Sequence, residues 1–411
     1  MVGEADFLKG LFSRYYRKNW ISAPSGIEFR EFGFVLFDVE GMVRHLSFKS
    51  EHELNMFLRS KAPLHSYFSS AYYRFPGAED MDAKEWIGAD LVFDIDADHI
   101  PTPCKDEHDR WVCLDCGYSS TGMAPESCLK CGSKRVKAET WLCEQCLEVA
   151  KSEAFKLIDE FLVSDFGFSH DEISINFSGH RGYHVHVRSD VVRELSQDAR
   201  RELTDYIKGI GFSPQVHGLA GKLLMENPPD LADPGWRGRV ARGLYDFVYK
   251  ADVEDYRRLS IRGSVARKLV ENKNLILRGL ERTPPLWPSI KGVSSKTWLK
   301  IIRYVVEIQA VHIDERVTTD IKRLMRLPGS LHGKTGFRVK ALTYSELEKF
   351  DPLSDAVAFT KGEVKVYVER CPEIFICGQA YGPYRSAEVE LPISVAVYLI
   401  CKGAARLVDE E

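Results

Sequence analysis

Two aspartates that share one face of an apolar strand are the most informative feature of this sequence. Residues 89–98 read Ala-Asp-Leu-Val-Phe-Asp-Ile-Asp-Ala-Asp, and the apolar run at their centre predicts a buried strand. Alternate residues of a strand point the same way, so Asp94 and Asp96 lie roughly 7 Å apart at the backbone. Two such carboxylates repel each other unless a cation lies between them. The pair predicts a site for a hard divalent cation such as Mg²⁺, and a strand end with two solvated acids is the plainer alternative.

A second group of polar side chains surrounds a Gly-His-Arg-Gly turn between two predicted strands, at 173–178 and 183–188. Ser178, Arg181 and His184 offer a hydroxyl, a guanidinium and an imidazole to one patch. A guanidinium suits phosphate oxygens, and the N–H groups of a glycine-rich turn add to an anion site. The turn therefore predicts phosphate binding. A metal held by His184 and the histidine two residues later, or a purely structural turn, are the alternatives.

A third group lies in the loop Arg-Leu-Pro-Gly-Ser-Leu-His-Gly-Lys-Thr-Gly at residues 326–336. Its Gly-Lys-Thr resembles part of a phosphate-binding P-loop, but only three residues separate Gly329 from Gly333, where that motif needs four. We therefore reject the P-loop. Arg326, His332 and their basic neighbours still indicate an anion-binding loop, with a solvated basic loop as the alternative.

Cysteines form a fourth group, because seven of the ten fall between residues 104 and 146. In a chain without a secretory signal, such pairs indicate metal binding rather than disulfides. Structural Zn²⁺ prefers four sulfur and nitrogen ligands, so eight candidate ligands fit two sites. Nesting one site within the other closes both without crossing the chain. We assign Cys113, Cys116, Cys128 and Cys131 to an inserted ribbon, and Cys104, His108, Cys143 and Cys146 to a site at its base.

The elements that position these groups belong to a chain of 411 residues, long enough for two or three domains. A formal net charge of −4 argues against a uniformly basic nucleic-acid binder, so any such surface must be local. Residues 235–282 are the one basic stretch, with twelve Lys/Arg against six Asp/Glu, and a phosphate-backbone contact and a solvated helix face explain it equally well. No apolar run approaches the length of a membrane span.

The apolar periodicity predicts a mixed order of elements. We expect a hairpin over 28–50, strands at 67–74, 91–95 and 337–343, and helices at 51–62, 148–166, 196–210 and 296–309. Residues 211–300 are mostly helical, with Pro- and Gly-rich breaks.

Taken together, Val92–Asp96, Ser178–His184 and the 326–336 loop closely resemble the small catalytic subunit of archaeal and eukaryotic DNA primases. The order matches the family: paired aspartates on a strand, a zinc knuckle, a Ser…His strand-turn-strand, a distant third aspartate, then a basic loop with histidine. The resemblance runs from about residue 28 to residue 340. The Cys113–Cys131 ribbon departs from the compact family knuckle.

The resemblance implies a role for each matching residue. Asp94 and Asp96 match two of the three metal-binding carboxylates, and Asp314 matches the third in preference to Asp320, because it keeps the family's spacing to the loop histidine. These carboxylates would hold Mg²⁺ or Mn²⁺. The base site matches the family's zinc knuckle. The expected nucleotide-binding residues are Ser178, Arg181, His184, Arg326 and His332, with Arg44 as a further nucleotide or template contact.

The resemblance also implies the architecture: an α+β fold with an RRM-like antiparallel sheet, an inserted zinc-binding element and a mainly helical insertion. We expect a discontinuous catalytic core at 1–210 and 300–345, the zinc element at 99–146, the helical subdomain at 211–299 and a C-terminal appendage at 346–411.

The function that follows is template-directed synthesis of short RNA primers on single-stranded DNA from NTPs. The expected partner is a primase large subunit carrying an iron–sulfur domain, and no membrane is involved. Location would be cytoplasmic and nucleoid-associated in an archaeon, nuclear in a eukaryote. Two alternatives are a repair-type primase-polymerase preferring dNTPs, and a zinc-ribbon nucleic-acid adaptor with an inactive core, against which the intact aspartates argue.

Overall fold

A computed structural model describes residues 3–408, without the side chains of Lys222, Leu223 and Met225. It is an α+β protein whose sheets are antiparallel. The strands are β1 Phe32–Val35, β2 Met42–Leu46, β3 His65–Ser69, β4 Ala71–Tyr73, β5 Trp86–Ala89, β6 Leu91–Asp96, β7 Arg110–Cys113, β8 Ser119–Thr121, β9 Val136–Glu139, β10 Ile173–Phe177, β11 Gly182–Val187, β12 Leu324–Arg326, β13 Lys340–Leu342, β14 Glu363–Cys371, β15 Ile374–Ile376, β16 Gln379–Tyr381, β17 Tyr384–Pro392 and β18 Ala405–Leu407.

The helices alternate with these strands in the first half of the chain and dominate its middle. They are α1 Glu4–Lys18, α2 Glu51–Lys61, α3 Lys105–His108, α4 Glu144–Lys156, α5 Asp190–Arg193, α6 Gln197–Ile207, α7 Gly221–Glu226, α8 Gly235–Lys250, α9 Val253–Arg258, α10 Gly263–Glu271, α11 Lys273–Glu281, α12 Ser295–Gln309, α13 Glu315–Thr319, α14 Tyr344–Lys349, α15 Pro352–Asp355 and α16 Ile393–Lys402. A π-helical segment, Leu157–Val163, continues α4. In residues 3–408, no helix combines the length and the apolar character needed to cross a bilayer.

The chain divides into two compact units. The first comprises residues 1–154, 170–200 and 313–411, and the second comprises 155–169 and 201–312. The second unit is helical, and α12 packs on α8 through an apolar face that includes Ile301 and Val305. Several arginines of the basic stretch are already paired within this unit: Arg239 is buried against Asp165, and Arg242 bonds Glu160.

Two four-stranded sheets form the centre of the first unit, in the orders β12-β3-β1-β2 and β13-β10-β11-β6. The second sheet contains the predicted Asp-x-Asp strand, because β6 pairs antiparallel with β11 over its whole length. Its apolar residues Leu91, Phe93 and Ile95 are fully buried, as the alternation predicts. This pairing places the aspartates of β6 directly beside the polar residues of β11.

The C-terminal residues belong to the first compact unit. A sheet of order β17-β14-β18 packs against α16, and most side chains of this helix are buried, including Val395 and Leu399. A helix that is apolar on nearly every side requires cover from several directions. The structure therefore groups 346–411 with the sheets of the predicted core, and the helical unit extends beyond the predicted 211–299 to 201–312 together with 155–169. The division into domains stays a prediction.

Candidate active site and metal centres

The end of β6 brings two acidic residues to the wall of a cleft of about 320 Å³. Asp94 lies opposite His184 in the β6–β11 register, with the Asp94 Oδ1 atom 3.5 Å from the His184 Nε2 atom. Asp96 lies opposite Gly182, where a Cβ atom would come within 1.9 Å of the Ile95 carbonyl oxygen. Glycine is therefore required here so that the turn can approach β6 closely.

Asp314 joins this pair from a distant part of the chain. Its backbone N–H donates to the Asp94 carbonyl oxygen at 2.9 Å, and its side chain accepts a hydrogen bond from the Arg316 N–H at the start of α13. Burial, and then the charge of Asp314, raise the pKa of Asp94 to about 6. Burial is the larger cause of this shift, and the nearby charges of Arg323 and Arg326 act against it.

Carboxylate oxygens are the ligands that Mg²⁺ and Mn²⁺ prefer, so Asp94, Asp96 and Asp314 fit a divalent cation chemically. Among residues 3–408, these acids do not form a group with ligand atoms all within 4.8 Å of one another, as two cysteine-containing groups do. The backbones of Asp94 and Asp314 are thus hydrogen-bonded to each other. The oxygen atoms of the three carboxylates lie farther apart than the ligand atoms of the cysteine groups.

The opposite side of the cleft is basic. Arg326 and Arg323 come from β12 and the residue before it, and Lys334 comes from the following loop. Arg326 lies over the Tyr67 ring, 4.5 Å from its centroid, and also contacts the Nδ1 atom of His65. A cleft with acids on one wall and cations on the other suits a ligand that carries both metal ions and phosphates. The lining residues are Tyr67, Asp94, Asp96, Asp98, Ser178, His180, Gly182, His184, Val317, Arg323, Leu324, Met325, Arg326, His332 and Lys334.

The Gly-containing turn and the 326–336 loop pack together. The rings of His180 and His332 stack with centroids 5.1 Å apart, and Thr335 donates its hydroxyl to the Gly179 carbonyl oxygen at 2.6 Å. Ser178 accepts from the His180 and Gly182 N–H groups, each at 3.3 Å, which closes the turn. These contacts explain why two loops far apart in sequence form one wall.

The cleft histidines are neutral, because burial disfavours an imidazolium. Burial, and then the charge of Arg326, lower the pKa of His184 to about 3. The same two causes, in the same order, lower the pKa of His332 well below its ordinary value. Positive charge on the cleft wall therefore comes from Arg323, Arg326 and Lys334 rather than from histidines.

Arg181 and Arg44, two predicted nucleotide contacts, are not among the cleft-lining residues. Arg181 is buried and forms ion pairs with Asp98 and Asp109. The Arg44 guanidinium instead pairs with the buried Glu31, at 3.0 Å.

Sequence reasoning gave no role to the cleft-lining Asp98, Tyr67 and Arg323, or to His65, which contacts Arg326. Asp98 continues the alternation of Asp94 and Asp96, a signal that could have been followed. Tyr67, His65 and Arg323 gave no such signal, because they reach the cleft only through the pairing of β12 with β3.

Both predicted groups of metal ligands are assembled. In each group the four ligand atoms lie within 4.8 Å of one another: Cys104, His108, Cys143 and Cys146 in the base group, and Cys113, Cys116, Cys128 and Cys131 in the ribbon group. Four soft ligands at these distances fit tetrahedral zinc. The contact between the Cys143 and Cys146 thiols lowers the pKa of Cys146 and raises that of Cys143, so the two share one proton closely.

The ribbon is a three-stranded sheet of order β8-β7-β9. Two similar turns present its ligands, because the Gly117 N–H bonds the Cys113 carbonyl at 3.0 Å and the Gly132 N–H bonds the Cys128 carbonyl at 2.8 Å. Apart from the thiols, its core is small, consisting of Trp111 with Val136 packed against it. A metal ion held by the four thiols would therefore provide most of the internal cohesion of this lobe.

The base group is tied directly to the segment that follows β6. Lys105, which follows Cys104, is buried and donates to the carbonyl oxygens of Ala97 at 2.5 Å and Ile100 at 2.7 Å. These carbonyls belong to the segment that immediately follows Asp96. Order in the base group therefore restrains the end of the strand that carries the acids.

Comparison with known proteins identifies the family of this chain. The DNA primase small subunit family matches residues 133–344. Three proteins, each named DNA primase small subunit PriS, align over nearly the whole chain. One from Methanothrix thermoacetophila is 36% identical, over 98% of this chain and 98% of its own. One from Methanococcoides burtonii is 37% identical, over 97% of both chains. One from Cenarchaeum symbiosum is 32% identical, over 96% of both. This chain belongs to the DNA primase small subunit family.

Proposed function

We propose that this chain is the catalytic subunit of a DNA primase that makes short RNA primers on single-stranded DNA. The observation that carries the proposal is the hydrogen bond between Asp314 and Asp94, which brings a third carboxylate to the Asp94–Asp96 strand end. Cations on the facing wall complete a site for a nucleoside triphosphate. The same family assignment supports a role in DNA replication.

The ligands for Mg²⁺ or Mn²⁺ would be Asp94 and Asp96 of the cleft wall, together with Asp314, whose backbone is bonded to Asp94. When bound, such ions polarise the α-phosphate, activate the attacking 3′-hydroxyl and stabilise the departing pyrophosphate. The raised pKa of Asp94 suits this role, because an approaching cation relieves the repulsion from Asp314.

The basic wall binds the triphosphate. Arg326 is held in place by Tyr67 and His65, so its guanidinium is already oriented before the nucleotide arrives. Arg323 and Lys334 add charge from the two sides of Arg326. Ser178, His184 and His332 border the same space and, being uncharged, contribute hydrogen bonds and shape. Arg181 would reach the phosphates from behind Asp98.

Further parts of the proposal concern architecture and partners. We infer that the two central sheets include the RRM-like core of the family, and that both cysteine groups hold zinc. The partner would be a primase large subunit, and the substrates would be NTPs and a single-stranded DNA template. The chain would work beside the nucleoid, as the archaeal relatives suggest.

The decisive experiment is de novo synthesis on single-stranded DNA with labelled NTPs or dNTPs, with and without the large subunit. We expect short RNA products that require Mg²⁺ or Mn²⁺. Products formed only from dNTPs on primed gaps would favour a repair primase-polymerase instead. A chain that binds DNA but extends nothing under any condition would contradict the proposal.

A further inference from the structure

Arg181 is a buried guanidinium shared by two carboxylates of very different exposure. It forms an ion pair with Asp98, and its Nη2 atom lies 3.6 Å from the Asp109 Oδ2 atom. The Asp98 side chain is 32% exposed and lines the cleft, whereas the Asp109 side chain is 3% exposed. Asp98 therefore faces the ligand, and Asp109 lies behind the guanidinium.

The Arg181 guanidinium retains capacity to donate. Its Nε atom has no hydrogen-bond partner among the described residues, and its two Nη atoms contact Asp98 and Asp109 as ion pairs without the geometry of full hydrogen bonds. Buried donors without such partners are rare in folded proteins, and a ligand commonly supplies what is missing. Phosphate oxygens match a guanidinium in both geometry and charge.

The Oδ1 atom of Asp109, which does not face Arg181, contacts His108 of the base group. The Oδ1 atom accepts from the Trp141 N–H at 2.8 Å and lies 2.7 Å from the Nδ1 atom of His108. The Nε2 atom of the same imidazole lies 3.6 Å from the Cys146 sulfur, within the ligand group. Since Oδ1 is fixed on the metal side, Oδ2 is directed at Arg181.

We propose that Asp109 is a positioning residue that couples the base metal group to nucleotide binding. It retains Arg181 behind the cleft-lining Asp98 while the guanidinium exchanges Asp98 for phosphate oxygens of the incoming nucleotide. The proposal rests on the proposed function and adds to it a route by which an ordered base group affects nucleotide affinity.

Charge balance explains why both acids are needed. A buried guanidinium is stable only with counter-charge nearby. When Asp98 releases it, the phosphate replaces Asp98 and Asp109 remains, so the guanidinium is never left alone. Without Asp109, Arg181 would depend on Asp98 entirely, and the phosphate would have to break that pair.

The two acids are a matched pair for a test, because replacing either removes one carboxylate from the same guanidinium. Direct binding of an NTP to the full chain in Mg²⁺ would be measured for Asp109→Asn and Asp98→Asn. We expect Asp109→Asn to raise the Kd about tenfold, as loss of an outer partner of a metal ligand commonly does. We expect Asp98→Asn to lower the Kd about threefold, because a competitor is removed. Asp106→Asn, on the exposed side of α3, should change nothing.

Zinc release to a chelator gives a readout that does not depend on nucleotides. Asp109→Asn should speed the release of one zinc ion about tenfold, because His108 loses a charged partner. Asp98→Asn and Asp106→Asn should leave the release rate unchanged. In an Arg181→Gln background, Asp109→Asn should not weaken nucleotide binding further.

Several results would overturn the coupling. These are an unchanged Kd in folded Asp109→Asn, a further loss of affinity in the Arg181→Gln background, or unchanged zinc release. If Asp109→Asn unfolds below the assay temperature, the test rests on Asp98→Asn. Unchanged or weaker NTP binding by Asp98→Asn would then overturn the proposal. Failure of the proposed function is distinguishable, because a wild-type chain that binds NTP and extends nothing would leave these binding shifts in place.

Discussion

At the scale of single residues, the site depends on charges that the fold holds close together. Asp94 has its pKa raised by burial and by Asp314, while the buried His184 beside it stays neutral. An uncharged histidine cannot relieve the repulsion between the acids, and Arg323 and Arg326 offset it only in part, so a bound cation would relieve it further. The strongest test of the site is therefore to remove one carboxylate and keep its shape.

We expect Asp96→Asn to lower primer synthesis at least about 1,000-fold, because the amide is a poor ligand for Mg²⁺ and removes one of the charges that hold it. The melting temperature should not fall, since Asp96 is only partly buried and its removal relieves repulsion. Product formation on single-stranded DNA and a melting curve would check both. Asp115→Asn, in the ribbon, is the control for the charge change, and an active Asp96→Asn enzyme would refute the assignment.

At the scale of elements, the turn between β10 and β11 must approach β6 very closely. A methyl group at Gly182 would meet the Ile95 carbonyl at 1.9 Å, and backbone cannot move aside as a flexible side chain can. We expect Gly182→Ala to destabilise the protein by about 3 kcal/mol, at the upper end of overpacking costs. Urea unfolding would measure the change.

Gly10→Ala provides the matched control for that substitution. Gly10 lies inside α1, and the position that an alanine methyl group would take there has open space for 4 Å around it. Alanine should therefore stabilise the helix by about 0.5–1 kcal/mol. Equal effects of the two substitutions would mean that the close approach at Gly182 is not a constraint.

The two cysteine groups make a separate prediction at this scale. Cys128→Ser should lower the zinc content from two ions per chain to one, because it removes a ligand from the ribbon group only. Cys146→Ser should remove the other ion and also impair nucleotide incorporation, because the base group restrains the segment after Asp96 through Lys105. Elemental analysis with activity assays would check this, and fewer than two zinc ions in the wild type would contradict the assignment.

At the scale of the whole molecule, buried neutral histidines make stability depend on pH. Burial lowers the pKa of His65, His180, His184, His186 and His332. Below an unfolded pKa of about 6.5, the unfolded chain binds protons that the folded chain does not. Stability is therefore fully present above about pH 6.5 and is lost as the pH falls, by up to about 1.4 kcal/mol per pH unit for each such histidine.

His186 is suited to test this dependence, because it stacks on Phe68 and neither ring nitrogen has a hydrogen-bond partner among the described residues. Between pH 6.5 and pH 5, each buried histidine lowers the free energy of unfolding. We expect His186→Phe to remove the part of this loss that one histidine causes. Denaturant unfolding at several pH values would measure it. His52 is exposed, so His52→Phe should leave the pH dependence of the free energy of unfolding as it is in the wild type. A wild-type pH dependence in His186→Phe would exclude a burial effect at residue 186.

The sequence predicts those features of the structure that depend on residues close together in the chain. The Asp-x-Asp strand, the Gly-containing turn and the nested cysteine pairs are set by spacing over a few residues, and the structure assembles all of them as elements. The buried α16 was not predicted, because its contacts come from strands on either side of it in sequence. The place of Arg44 was not predicted either, although its partner Glu31 lies on the adjacent arm of the predicted hairpin, because the burial of Glu31 depends on residues elsewhere in the fold.

The register of the ribbon has a consequence for how this family can vary. Arg110 and Glu139 are paired neighbours on β7 and β9, so the chain enters and leaves the lobe at nearly the same point. A tight hairpin joining those two positions would excise the intervening residues and leave every ligand of the base group where it is. Acquisition or loss of this lobe during evolution therefore demands no rearrangement of the polymerising centre.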